Sequence, residues 1–188
     1  MKRLFLTIVT IFLVVNIALA QFAEPAVTGA IFTTNQVNTG QNTTLIVSFV
    51  NTGSTIIPLG SIELTISTAY NYYTTDGISV PTGVGAALFN WTYLGVLGSS
   101  DIWRGTNKIA IGAFAGGNIS LNVTGNTTTV GFETTNINVQ PVGNFNQFSD
   151  SESNNNLQPQ LKINQLIIPI DCKVICVPFT ITKLNTTR

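Results

Sequence analysis

Apolar residues recur at every second position in three stretches of the chain, and these stretches predict its central strands. In residues 39–53 (TGQNTTLIVSFVNTG), Leu45, Val47 and Phe49 fall on one side of an extended chain, with Ile46, Ser48 and Val50 on the other. Side chains alternate sides along a strand, so the first set forms a buried face. Gly40 and Asn42 lead into the run, and Asn51-Thr52-Gly53 ends it in a form that suits a turn with positive φ. Both faces are largely apolar, which places this strand inside a sheet rather than at its edge. Residues 61–67 alternate most cleanly, with Ile62, Leu64 and Ile66 inward and Ser61, Glu63, Thr65 and Ser67 outward. Residues 118–124 repeat the pattern with Ile119, Leu121 and Val123 inward.

The rest of the chain is less regular. Residues 26–34 read as a first short strand with a bulge at Gly29, and Pro58-Leu59-Gly60 makes a tight connection. Residues 69–106 hold most of the large aromatics, and within them 88–94 (LFNWTYL) predicts a strand with Phe89, Trp91 and Tyr93 on one face. Residues 108–113 (KIAIGA) predict a short strand, followed by a turn at Gly116-Gly117. Residues 127–139 read as one extended segment with apolar points at Val130, Phe132, Ile137 and Val139, broken near Thr134-Thr135. The polar run 148–156 (FSDSESNNN) is a loop, and 161–168 is a last core strand. No stretch from residue 21 onward carries helical periodicity. Strands divided by Gly, Pro and Asn turns predict an all-β chain folded as an antiparallel β-sandwich.

Composition adds an address and removes several functions. Lys2 and Arg3, an apolar run over residues 4–15 and the ending Ala18-Leu19-Ala20 have the three-part form of a signal peptide cleaved after Ala20. The apolar run is shorter than the ~20 residues of a spanning helix, so no membrane span is expected after cleavage. The chain then divides into a signal peptide (1–20), a sandwich (21–168) and a C-terminal strand or tail (169–188). Without the leader six basic residues face eight acidic ones, so there is no basic patch for nucleic acid. At 44% hydrophobic and 9% charged residues the chain is not of the disordered type. Thr and Asn make up about a quarter of it, and they favour strands and turns respectively.

Candidate chemistry is sparse. The chain has no histidine, which excludes Ser-His-Asp and Cys-His nucleophiles and histidine zinc sites. Its carboxylates are scattered through turns and outward strand positions, and the expectation is a non-enzymatic protein without a cofactor. Trp91, Tyr93 and Trp103 admit two readings, an aromatic platform for sugar rings or sandwich core. Asp150, Glu152 and Asn154 set oxygen ligands at alternate positions, as calcium loops do, but Asn155 and Leu161 stand where such a loop needs Gly and a bidentate acid. They read either as a weak calcium site or as a solvated loop. Cys172 and Cys176 are too far apart in a straight strand to bridge; a disulfide needs a tight loop between them, and intermolecular pairing and free thiols are the other readings. Asn42, Asn90, Asn118, Asn122, Asn126 and Asn185 each begin an Asn-X-Ser/Thr sequon. The tail, with Val177, Phe179 and Ile181 on one face, reads as a further strand of this chain's own sheet, or as a donor strand or export signal recognised by a partner, self-association through it included.

The order of the pieces carries a resemblance. A turn Gly, the strand LIVSFVNTG, a Gly-Gly turn before ISLNVTG and the loop SDSESNNN before the last strand resemble the repeated immunoglobulin-like extracellular modules of bacterial surface proteins. These are known as domain of unknown function eleven, relatives of the CARDB cell-adhesion modules. The resemblance spans residues 26–168. It implies an immunoglobulin-like fold and a secreted or cell-surface adhesion or structural role, through contacts with other surface proteins. Carbohydrate binding by the exposed aromatics, with glycans as partners, is the alternative.

Overall fold

A computed structural model describes residues 22–143 and 154–166. The strands are β1 (Pro25–Phe32), β2 (Gln36–Asn38), β3 (Asn42–Asn51), β4 (Ile62–Ala69), β5 (Tyr73–Thr74), β6 (Phe89–Leu97), β7 (Ser100–Asn107), β8 (Gly116–Gly125), β9 (Glu133–Thr134), β10 (Asn136–Pro141), β11 (Asn156–Leu157) and β12 (Gln160–Asn164). Among the described residues helical conformation is limited to 3-10 geometry, as in the turn Ala86–Leu88. One sheet runs β1-β3-β8-β5 and the other β11-β10-β4-β7-β6, while β2, β12 and β9 form a small third sheet. The described chain is an all-β, immunoglobulin-like sandwich.

The three strictly alternating stretches are the central strands. β3 lies between β1 and β8, and β4 lies between β10 and β7, so each is paired on both sides. Leu45, Val47, Phe49, Ile62, Leu64, Ile66, Ile119, Leu121 and Val123 all point into one core and are at most 1% exposed. The sheets meet through the edge-to-face pair of Phe49 on Phe89 at 5.2 Å, and Phe32 packs edge-on against Tyr73 of its own sheet at 5.9 Å, a geometry that aromatic quadrupoles favour. The expected bulge in β1 falls between Val27 and Gly29. The break in 127–139 falls at Thr135, between β9 and β10.

Several expectations need correction. Gly53 has no positive φ; a Cβ there would lie 2.1 Å from the Phe22 carbonyl oxygen, so close approach of two backbones is what demands glycine. Residues 108–113 are not a strand: they make one isolated bridge, Ile111 to Ile57 in the connection between β3 and β4, and only Ile111 is buried. Val130 and Phe132 are exposed rather than core residues. Ser61, expected outward, is fully buried and donates to the Pro58 carbonyl. β7 went unread, although it is the strand that joins β4 to β6. The last strand is shorter than 161–168 and pairs parallel with β2, Ile163 facing Val37, so the fold is not wholly antiparallel.

Buried amides close the corners. Asn51, fully buried at the end of β3, accepts from the backbone N–H of Glu24 (3.0 Å) and Gly53 (3.1 Å) and donates to the carbonyls of Thr55 (2.7 Å) and Gly112 (3.0 Å). Asn107 does the same at the end of β7, accepting from Ile62 N–H and donating to Pro58 and Ile109. The connection from β5 to β6 then seals β8, whose Ser120 bridges to Thr82. A Cβ on Gly85 would sit 2.3 Å from the Gly117 carbonyl oxygen, so this connection runs in backbone contact with β8.

Candidate functional site: the aromatic edge of β6

β6 is an outer strand of the five-stranded sheet and pairs on one side only, with β7. Phe89, Trp91 and Tyr93 point between the sheets as expected, but their burial is graded. Phe89 is core, whereas Trp91 and Tyr93 are half-buried beside the seam. Trp91 faces Gly105 across the ladder, and a Cβ on Gly105 would come within 3.0 Å of the indole, so the ring lies against bare backbone. Its Nε1 donates to the Ala86 carbonyl at 3.0 Å. Gly77, with φ of +65°, packs against the Tyr93 ring at a distance that leaves no room for a Cβ.

Trp103 corrects the platform reading. It is 3% exposed, its ring lies 5.2 Å from that of Tyr93, and its Nε1 donates to Thr75 Oγ1 at 3.0 Å. It is a core tryptophan and offers no face to a ligand. Below it lies a carboxylate that sequence reasoning did not single out. Asp101 is fully buried, and its Oδ2 accepts from Thr75 N–H at 2.7 Å and Thr75 Oγ1 at 2.8 Å. The other oxygen, Oδ1, has no hydrogen-bond partner. The Tyr93 hydroxyl approaches this carboxylate short of full hydrogen-bond geometry. Its pKa is pushed up to about 12, by hydrogen bonding toward Asp101 first, then by desolvation and the Asp101 charge. Burial, opposed in part by a hydrogen bond with Thr135, pushes Tyr73 up to about 12 as well. No sequence signal marked Asp101, because a lone acid in an irregular stretch looks like a surface residue.

The ladder phase shows which backbone groups of β6 are free. Lys108 N–H donates to the Leu88 carbonyl at 2.9 Å, and residues opposite each other in an antiparallel pair alternate between bonded and non-bonded. Asn90 and Thr92 therefore bond toward β7, while the N–H and C=O groups of Trp91 and Tyr93 point to the open side. A bulge between Tyr93 and Gly95 ends this regular stretch. A groove of about 460 Å³ runs beside it, lined by Val80, Pro81, Ala87, Asn90, Trp91 and Lys108 among others. No residue of β6 is charged. A larger depression, about 760 Å³, lies at the end of β1 between Ile31, Phe132 and Pro159, but its walls hold no charged side chain and no aromatic row.

Other candidates are not drawn together. Among the described residues no group of three or more His, Cys, Asp or Glu side chains is placed to hold a metal ion. Asn154 donates to Glu24 Oε1 at 2.9 Å, whereas Asp150 and Glu152 lie outside the described residues. Cys172, Cys176, the leader and the C-terminal tail lie outside them too. No helix among the described residues is long and apolar enough to cross a membrane. The sequon residues Asn42, Asn118 and Asn122 are exposed on the outer face of β3 and β8, each accepting from a cross-strand Ser or Thr hydroxyl.

No protein-family model matches the chain, and no curated protein sequence matches it. Its fold is similar to that of the cohesin module from a Clostridium perfringens family 33 glycoside hydrolase. The TM-score is 0.51 at 11% identity, covering 77% of this chain and 98% of that one. The third ScaC cohesin of Acetivibrio cellulolyticus, solved in complex with the ScaB dockerin, gives 0.40 at 13% identity, covering 74% and 99%. The seventh ScaB type I cohesin of Pseudobacteroides cellulosolvens gives 0.40 at 8% identity, covering 80% and 96%. At such identities the likeness is one of fold.

Proposed function

We propose that this chain is a secreted or cell-surface, non-enzymatic module that works through contacts with other proteins, in adhesion or as a structural unit. The observation that carries the reading is the open edge of β6. Unpaired backbone groups at Trp91 and Tyr93, on an uncharged strand beside an apolar groove, are an invitation to another extended chain. Natural edges are commonly blunted by Lys, Pro or inward charges, and β6 has none of these. The extracellular address rests on the leader-like residues 1–20. Kinship with domain of unknown function eleven and the CARDB modules rests on the order of turns and strands, and both belong to this proposal.

The second reading is carbohydrate binding. It is favoured by half-buried Trp91 in a groove that also offers Asn90 and Lys108, and it no longer includes Trp103. A photo-reactive amino acid placed at exposed Thr92, with Asn122 on the other sheet as control, separates the two. Irradiated at the surface of the source cells, the Thr92 variant is expected to form adducts with protein and the Asn122 variant is not. Adducts at neither position, together with glycan-array binding lost in Trp91→Ala, would overturn the protein reading in favour of the sugar one.

A further inference from the structure

The open edge of β6 is complementary to itself. We propose that its partner is a second copy of this chain, paired antiparallel about a two-fold axis at Thr92. This inference rests on the protein-contact reading above and names the partner. An added antiparallel strand must set edge-facing residues opposite edge-facing residues, here Trp91 and Tyr93. Three self-pairings meet that condition. Setting Trp91 opposite the partner's Trp91 brings Phe89 opposite the partner's Tyr93, but the Phe89 N–H already donates to the Ala86 carbonyl. Setting Tyr93 opposite the partner's Tyr93 runs Trp91 into the bulge at Gly95. Setting Trp91 opposite the partner's Tyr93 uses both free residues of each copy in four backbone hydrogen bonds.

That register places Thr92 opposite the partner's Thr92 and Asn90 opposite the partner's Leu94 on the outer face. Opposed threonines are a favourable cross-strand pair. On the inner face each half-buried Trp91 meets a half-buried Tyr93 across the new ladder, and both rings lose their remaining contact with water. Charge does not oppose the approach, since β6 carries none. A stable interface buries roughly 1,200 Å² or more in total, and a few paired residues fall short of that. Beside the strand Ile78 is 83%, Val80 51% and Leu97 57% exposed, and this is the apolar surface the proposed pairing must cover to make up the area.

The experiment uses the full mature chain. Wild type is expected to sediment at twice the chain mass, and Thr92→Lys, which sets like charges against each other on the axis, at the chain mass, with a cooperative melting curve whose midpoint, unlike that of wild type, does not depend on concentration. Thr92→Cys, with Cys172 and Cys176 replaced by Ser, is expected to form a disulfide-linked dimer on mild oxidation. A non-bonded antiparallel pair brings Cα atoms to about 4.5 Å, within disulfide reach. Asn122→Cys in the same background is expected to form no disulfide-linked dimer. Wild type that is monomeric up to sub-millimolar concentration overturns the proposal and leaves the protein-contact reading to the adducts at Thr92. A wild-type dimer with no Thr92→Cys cross-link overturns it also, by placing the interface elsewhere. If Thr92→Lys does not fold, the cysteine pair decides.

Discussion

Asn51→Ala is the sharpest test of how this sandwich closes. The side chain is fully buried and makes four hydrogen bonds of 3.1 Å or less, two to the connection that follows β3 (Gly53 and Thr55) and two to distant backbone at Glu24 and Gly112. Alanine removes every one and strips the partner from the Glu24 and Gly53 N–H groups and the Thr55 carbonyl, while the Gly112 carbonyl keeps the Ala115 N–H at 3.2 Å. At a net ~1 kcal/mol per bond the loss is about 4 kcal/mol, and a water entering the vacated space restores part of it. The expected cost is about 3–4 kcal/mol, a large share of the ~5–15 kcal/mol that holds a typical domain together. Urea unfolding followed by the fluorescence of buried Trp103 and half-buried Trp91 reads it directly. With a slope of about 2 kcal/mol per molar, the midpoint falls by roughly 1.5–2 M. Asn51→Asp keeps the acceptor but turns a carboxylate oxygen toward the Thr55 and Gly112 carbonyls. Burial and those carbonyls raise the introduced acid's pKa above its unfolded value, so this variant is expected to be more stable near pH 4 than at pH 7 relative to wild type. A loss below about 1 kcal/mol for Asn51→Ala would refute the claim that this amide joins the corner.

Three further outcomes are expected. Tyr73 and Tyr93 both have folded-state pKa values of about 12 against an unfolded value near 10, so the fold favours their neutral forms. Their contribution to stability is whole below about pH 10 and is lost as pH climbs toward 12, which melting curves across that window would show as a steepening fall. Asp101→Asn removes the charge and the strongest acceptor beside Tyr93, and an ultraviolet pH titration should then find its phenol ionising closer to 10; an unmoved titration would disprove the coupling. Gly85→Ala drives a Cβ against the Gly117 carbonyl and should cost about 2–3 kcal/mol, whereas Gly60→Ala, with positive φ but open space, should cost about 1 kcal/mol. The reverse order in urea midpoints would refute the close contact between the 82–85 segment and β8.

Legibility followed the chemistry of the inward positions. β4 and β8 could be read because their inward residues are aliphatic and most of their neighbours polar, and β3 because its apolar run is bounded sharply by turn residues, patterns that follow from local sequence alone. β7 escaped notice because its inward positions are Asp101, Trp103, Gly105 and Asn107. Each polar one is tolerated through partners distant in sequence: Thr75 for Asp101, Ile62 and Pro58 for Asn107. Residues 108–113 misled for the opposite reason, since Ile109 and Ile111 alternate well but only Ile111 has a sheet to face. The aromatic row of β6 was visible as a row. Its grading from buried Phe89 to half-buried Tyr93, and its place at an open edge, depend on sheet order, to which no local pattern has access.

The parallel pairing of β12 with β2 sets a clock on the molecule. Thr39 and Asn164 are bonded across 125 residues of sequence, and Ile163 of β12 covers Gly125 at the end of β8. Until that last strand arrives, Val37 and the floor of the core beneath it stand open to water. Closing so long a loop is slow, and its entropy must be met before the long-range contacts of β12 repay it. A chain still emerging from the ribosome thus holds every central strand and still lacks the piece that shuts the sandwich. Completion of the fold waits on residues 160–164, and the finished core comes only after they are free to pair.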